Sequence, residues 1–355
     1  MRNAIQICLL AIAFATIGLL PASAWALQLD NLFVFGDSLS DGGNSGLRTQ
    51  QYTGNPSAVF PPPPYYNGQY SNGPVAAQYL WNSYNPGNPG GFVPSLAGGT
   101  NYAIGGATTG AVNYNAVNAS VPSFLQPAFT NYGAAWELQQ FLTSPYASTF
   151  DPAKSLFLVW LFPNDVFYTS QTGLSTGTVP GSPGGPDLVS NGIANIVTTI
   201  QTLAAVGAQH FLVMNLPDLG LVPEFLGTAE APSLSGLTTL FNTNLAAQLT
   251  ALDQLLPGEI IQFDVNAAFE AILADPVKYG FTNTTEACVD NLSSGICNSG
   301  NWDSWMFWDG VHPTTATDRI LASELRASIP EPGTIALLGV GLLGLGINRR
   351  GRSGC

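Results

Sequence analysis

Asn31-Leu32-Phe33-Val34-Phe35-Gly36-Asp37-Ser38-Leu39-Ser40-Asp41-Gly42-Gly43-Asn44 is the stretch on which the reading of the fold turns. A short apolar run stops at Gly36, and a serine follows two positions later. Apolar runs bounded by turn residues fit buried parallel strands. Similar runs occupy 155–161, 210–216 and 259–263. Helical patterns lie between them. In 188–203, Ile193, Ile196, Val197, Ile200 and Leu203 recur at helical spacing, as do Leu240, Leu245, Leu249 and Leu252 in 237–256. A last helix over 316–327 carries Ile320, Leu321 and Leu325. Strands alternating with helices predict an α/β fold with a parallel sheet. In such sheets the ligand crevice lies beyond the carboxyl ends of the strands. Ser38 therefore stands where a hydroxyl can meet a ligand, and Gly36 permits the tight turn. Gly-Asp-Ser is equally ordinary turn chemistry.

Two further stretches bear on that serine. A serine hydroxyl is a weak nucleophile until a base takes its proton, and the base needs an orienting partner, usually a carboxylate. Asp309-Gly310-Val311-His312 supplies both types three residues apart. The other histidine, His210, opens an apolar run and reads as a strand-edge residue. Ester cleavage also builds negative charge on the former carbonyl oxygen, which fixed donors must meet. Asn101-Tyr102-Ala103-Ile104-Gly105-Gly106-Ala107 offers glycine N–H groups, and Trp160-Leu161-Phe162-Pro163-Asn164-Asp165 offers an asparagine amide after a strand. Asn164-Asp165 also fits a helix N-cap.

The ends of the chain read as address labels. Residues 1–26 begin with Arg2, continue apolar and close on Ala24-Trp25-Ala26, the order of a secretory signal peptide. Pro330-Glu331-Pro332 precedes an apolar run, 335–347, and then Arg349, Arg350 and Arg352. That run is shorter than the about 20 residues of a full membrane span. The central body, 27–329, is long enough for one domain with a substantial core. Its strong cations are Arg48, Lys154, Lys278, Arg319 and Arg326 against 21 acids, a net charge of −16. Such a body repels phosphate backbones, so nucleic acid is not an expected partner. Cys288 and Cys297 are the two cysteines of the body, and export to an oxidising space favours a disulfide between them. With two histidines in all, no metal site is expected. Residues 42–130 are rich in Gly, Pro, Asn and Tyr, and read as a substrate-covering insertion or a solvated surface excursion. Residues 169–187 read as a surface loop.

Taken together, the four blocks around Ser38, Gly106, Asn164 and His312 resemble the GDSL, or SGNH, esterases and lipases, whose four functional residues are serine, glycine, asparagine and histidine. The blocks run in family order over 33–314, and 215–220 (Asn-Leu-Pro-Asp-Leu-Gly) is a similar family stretch. The resemblance implies a three-layer α/β/α sandwich with a parallel central sheet. It implies Ser38 as nucleophile, His312 as base and Asp309 as its orienter. The oxyanion donors would be Ser38 N–H, Gly106 N–H, with Gly105 in reserve, and the Asn164 side chain. It implies no cofactor or metal. The sequence is most similar to the secreted lipase, phospholipase and haemolysin branch, so a lipid or short-chain acyl ester is the expected substrate. A polysaccharide O-acetyl esterase and a non-catalytic surface-binding protein are the alternatives. Phe162 departs from the family, where glycine is common, and is expected to reshape the pocket wall. Gly43 stands where relatives often carry threonine. The C-terminal segment resembles the PEP-CTERM sorting signal. This implies transient membrane association through the tail, processing by an exosortase-type enzyme and delivery to the surface or matrix of a Gram-negative bacterium. An ordinary membrane anchor is the alternative.

Overall fold

A computed structural model describes residues 29–330, and the expected signal peptide and the sorting tail after Pro330 lie outside the described residues. Strand β1 (Asn31–Gly36) leads into helices α1 (Asn44–Thr53), α2 (Ala76–Tyr84) and α3 (Ala134–Thr143). Then come β2 (Ser155–Trp160), α4 (Pro163–Thr172), α5 (Leu188–Ala205), β3 (His210–Met214) and α6 (Ala231–Asp253). The chain continues through β4 (Glu259–Phe263), α7 (Val265–Ala274), β5 (Asn283–Ala287), β6 (Trp305–Phe307) and α8 (Thr315–Ser328).

Strands β1 to β4 pair in sequence order and all run parallel. Residues 100–104 lie along the free edge of β1. Val34 N–H donates to Thr100 O (3.1 Å), Tyr102 N–H to Val34 O (2.8 Å) and Ile104 N–H to Gly36 O (3.2 Å). The two-residue side-chain period sends Phe33, Phe35, Phe157, Val159, Phe211 and Val213 to one face. There they join one core cluster with residues of α3, α5 and α6. None of α2, α7 or α8 contributes to that cluster. Instead α8 packs on α2, α7 and β4, completing a three-layer α/β/α sandwich. Coverage of both faces explains why β2 is buried throughout and apolar after Ser155.

Element ends follow local chemistry. Helix α5 begins with a capping box, in which Asp187 accepts the Ser190 N–H (2.9 Å). Helix α6 starts six residues before the pattern-based expectation, because Pro232 suits a first turn. Strand β3 stops at Met214 rather than 216, since Leu216 bonds instead to the Asn242 side chain through both N–H (3.0 Å) and C=O (2.9 Å).

The 42–130 region is not a solvated excursion. It contains α1 and α2 and puts Ile104, Ala107, Val121 and Phe129 into the core. Pieces of it, such as Phe60, Tyr65, Tyr114 and Pro122, wall a cavity. The 169–187 loop is shorter than expected, because α4 runs to Thr172, and it is anchored by buried Thr176 and Val179. Among the described residues no helix is long and apolar enough to cross a membrane.

Candidate active site

Ser38 lies in the turn after β1, and His312 in the turn between β6 and α8, 274 residues away in sequence. The fold joins them. Asp309 and His312 share a tight turn in which Asp309 Oδ1 accepts the N–H groups of Val311 (2.9 Å) and His312 (2.8 Å). The same carboxylate takes the His312 Nδ1–H, at 2.9 Å to Oδ1 and 2.7 Å to Oδ2. That fixes the tautomer and leaves Nε2 as the acceptor of the Ser38 hydroxyl, at 2.7 Å. The Trp308 N–H donates to His312 O (2.8 Å), locking the backbone of the turn.

The electrostatics agree with this geometry. Burial pulls the His312 pKa down, but the Asp309 carboxylate, joined by Asp37 and Glu224, pulls the other way, and the net shift is upward. Burial raises Asp309, but His312 and the hydrogen bonds it accepts hold its carboxyl below the ordinary carboxylate range. One of those bonds comes from the Tyr65 hydroxyl, 2.7 Å from Oδ2. Tyr65 was not singled out from sequence, because nothing in its Pro-rich surroundings announces a contact 244 residues away.

The two glycines are separated by their hydrogen bonds. Gly105 N–H is engaged with Asp41 Oδ2 (2.9 Å) and Ser45 Oγ (3.0 Å). Gly106 lines the same cavity as Ser38 and Asn164, whereas Gly105 does not. Gly106 has φ of 82°, and a β-carbon there would collide with the Asn113 and Asn115 side chains. Those asparagines fix the segment by donating to Gly105 O at 3.0 and 2.9 Å. Gly43 has φ of 121°, which glycine accommodates without strain, and heads α1 where Asp41 Oδ1 accepts the Gly43 and Asn44 N–H groups at 2.7 and 2.6 Å.

Asn164 is buried in the first turn of α4, not at its cap. The N-cap position belongs to Phe162, with φ 126° and ψ −27°. Contrary to expectation, the Phe162 ring does not face the cavity. It is fully buried in the core and stacks on Phe241 with centroids 3.9 Å apart. Asp165 also departs from a capping role. Its carboxylate accepts Thr109 N–H (2.8 Å), Thr109 Oγ (2.6 Å) and Thr176 Oγ (2.9 Å), tying α4 to the segment that carries Gly106.

Three more buried carboxyls support the serine turn. Glu137 accepts Gly36 N–H (2.9 Å), Asp41 accepts around α1, and Asp37 Oδ1 accepts Leu39 N–H (3.0 Å). Burial pushes Asp37 up to about 7 and Glu137 well above its ordinary range. The Asp37 Oδ2 atom is buried, and the neighbouring Asn164 side chain offsets part of the rise. The cavity they adjoin measures about 760 Å³ and brings Asp37, Ser38, Gly106, Asn164, Asp309 and His312 to one surface. Its far walls are largely apolar, with Phe60, Phe167, Leu219 and Val222 among them. The 215–220 stretch supplies part of that wall through Pro217 and Leu219.

The remaining predicted positions lie elsewhere. His210 opens β3 and pairs with Glu259 (3.3 Å) on the neighbouring strand. Cys288 and Cys297 form a disulfide, Cα atoms 5.4 Å apart, packed with Trp305 and Trp308 just before the histidine turn.

Residues 328–350 match the PEP-CTERM protein-sorting motif. The chain is 28% identical over 93% of its length to an uncharacterized protein in the trpE-trpG intergenic region of Pseudomonas putida, covering 54% of that protein. It is 27% identical over 85% of its length to the thermolabile hemolysin of Vibrio parahaemolyticus, covering 64% of it. It thus spans less than two thirds of either relative. A phosphatidylcholine-sterol acyltransferase of Aeromonas hydrophila is 26% identical over 91% of this chain and 96% of its own. Residues 32–325, from β1 into α8, match the GDSL-like lipase/acylhydrolase family, and the chain belongs to that family.

Proposed function

We propose that this chain is an exported serine esterase that cleaves carboxylic esters of lipids or short acyl chains. The observation that carries this reading is the continuous line from Ser38 Oγ to His312 Nε2 (2.7 Å) and from His312 Nδ1 to Asp309 (2.7 Å) at the wall of a large cavity. His312 takes the Ser38 proton as Oγ attacks the ester carbonyl. The Ser38 and Gly106 N–H groups and the Asn164 amide receive the oxyanion, helped by the positive end of α4, whose first residues Pro163 and Asn164 line the cavity. The protonated His312 then gives its proton to the departing alcohol. Water, activated by the same imidazole, releases the acid and restores Ser38.

A cavity of about 760 Å³ with apolar walls is far more than an acetyl group requires, which favours acyl chains over acetylated polysaccharide. Two relatives named for haemolysis and for acyl transfer from phosphatidylcholine support a lipid ester. The sorting-motif match supports export, exosortase-type processing and delivery to the surface of a Gram-negative cell, with the tail associating with the membrane until it is cleaved. In this layout 1–26 is a signal peptide, 27–329 the hydrolase domain and 330–355 the sorting tail. Hydrolysis of p-nitrophenyl butyrate tests the chemistry. Ser38→Ala should lose at least about 10³-fold in kcat. Undiminished turnover by that variant would sink the assignment.

A further inference from the structure

The charge of the cavity bears on which ester it accepts. Among the described residues four acidic side chains, Asp37, Glu224, Asp290 and Asp309, line it, and no lysine or arginine does. Asp309 is matched by His312 and Tyr65. Asp37 is buried, and the Asn164 side chain beside it acts on its carboxyl. Glu224 and Asp290 are exposed, and among the described residues neither carboxylate has a hydrogen-bonding or ion-pair partner.

Glu224 is held over the histidine turn. Its N–H donates to Gly310 O (2.9 Å), and a methyl group placed on Gly310 would come within 3.3 Å of Glu224 Oε2. Its charge is felt at the imidazole, where it helps raise the His312 pKa. This location fixes which part of an ester meets it. The imidazole must reach both the serine oxygen and the departing oxygen, so the alcohol leaves alongside His312. It therefore passes Glu224. Tyr65 and Phe225 also line the cavity, and aromatic rings attract ammonium groups.

Resting on the hydrolase reading above, we propose that Glu224 selects esters whose leaving alcohol carries a positive charge, such as a quaternary ammonium, with Asp290, Tyr65 and Phe225 completing the seat. Anionic leaving alcohols are disfavoured by the same carboxylates. No bond to the ammonium is made or broken, so the chemistry remains that of the acyl group.

The test holds the acyl group constant. The full chain is assayed with butyrylcholine, its uncharged isostere 3,3-dimethylbutyl butyrate and anionic 3-sulfopropyl butyrate. The reading is the ratio of kcat/KM values within each protein, so a loss common to all esters cancels. For the wild type, the choline ester should be favoured over the isostere by about five- to tenfold at low salt. In Glu224→Gln the ratio should approach one, and Glu224→Lys should favour the sulfopropyl ester. An unchanged ratio in both variants, or a wild-type preference for the anionic ester, would overturn the role of Glu224 while leaving the hydrolase reading intact. Cleavage of none of the three by a folded wild type would overturn both.

Discussion

Phe162 occupies a backbone conformation, φ 126° and ψ −27°, that residues with a β-carbon rarely adopt. Its ring is fully buried and stacked 3.9 Å from Phe241, so packing pins the backbone at the entrance to α4. Two opposed terms follow. Truncating a buried phenylalanine to alanine costs about 3–5 kcal/mol in lost packing. A non-glycine residue in such a conformation stores about 1–3 kcal/mol of strain, which alanine retains and glycine releases. Glycine in turn forfeits about 0.5–1 kcal/mol through the freedom of its unfolded chain. Phe162→Ala should therefore be destabilised by about 3–5 kcal/mol. Phe162→Gly should be more stable than Phe162→Ala by up to roughly 2 kcal/mol, the reverse of the usual order. Urea unfolding of the three proteins, followed by tryptophan fluorescence, measures both differences. If Phe162→Ala proves the more stable of the two by about 1 kcal/mol, as at an ordinary position, the strain argument is wrong.

Other expectations can be checked on the same protein. Asn164→Ala should lower kcat by about 10²–10³-fold, less than Ser38→Ala, because only one of three oxyanion donors is removed; equal and complete losses in two folded variants would contradict the division of roles. The acid limb of kcat/KM should have an apparent pKa above 6.5, since the His312 pKa is raised and the base works only when neutral, and Asp309→Asn should move that limb downward in a pH–rate profile. Burial raises Asp37 to about 7 and Asp165 to about 6, and lifts Glu137 and Asp318 as well. The folded state then holds protons that the unfolded chain releases from about pH 4 upward, so stability is greatest at mildly acid pH and is lost as pH rises through 6 and 7. Calorimetry should show Tm falling by at least about 5 °C between pH 5 and 8; a flat or rising Tm would refute this. Replacing Cys288 and Cys297 by alanine opens a loop of sequence separation 9 and should cost about 2–3 kcal/mol in chemical denaturation.

The strands were legible because parallel strands covered on both faces are largely apolar, as β2 is; the edge strand β4, with exposed Glu259 and Gln262, was legible from Ile260, Ile261 and Phe263 and has the expected limits. The serine and the Asp309–His312 turn were legible for a different reason. The orienting contact is local, three residues apart, and the serine follows a strand end directly. Phe162 was misread because its composition speaks of size, not direction. Only the positive φ, which no one-dimensional pattern reveals, turns the ring inward. The choice between Gly105 and Gly106 rested on hydrogen bonds from Asp41 and Ser45 to one of them. Residues 42–130 looked like an excursion because their core contacts are irregular, with buried Ile104, Val121 and Phe129 outside any long strand or helix. Tyr65 and Glu224 reach the histidine turn from distant segments, a juxtaposition that only the folded chain creates.

Everything proposed for this site depends on Ser38 being an activated nucleophile. The most direct test is mass spectrometry of the purified protein after incubation with a fluorophosphonate, with Ser38→Ala and His312→Ala in parallel. A single adduct on Ser38 is expected, absent from Ser38→Ala and formed much more slowly in His312→Ala. A folded wild-type protein that takes up no adduct at Ser38 would contradict that role.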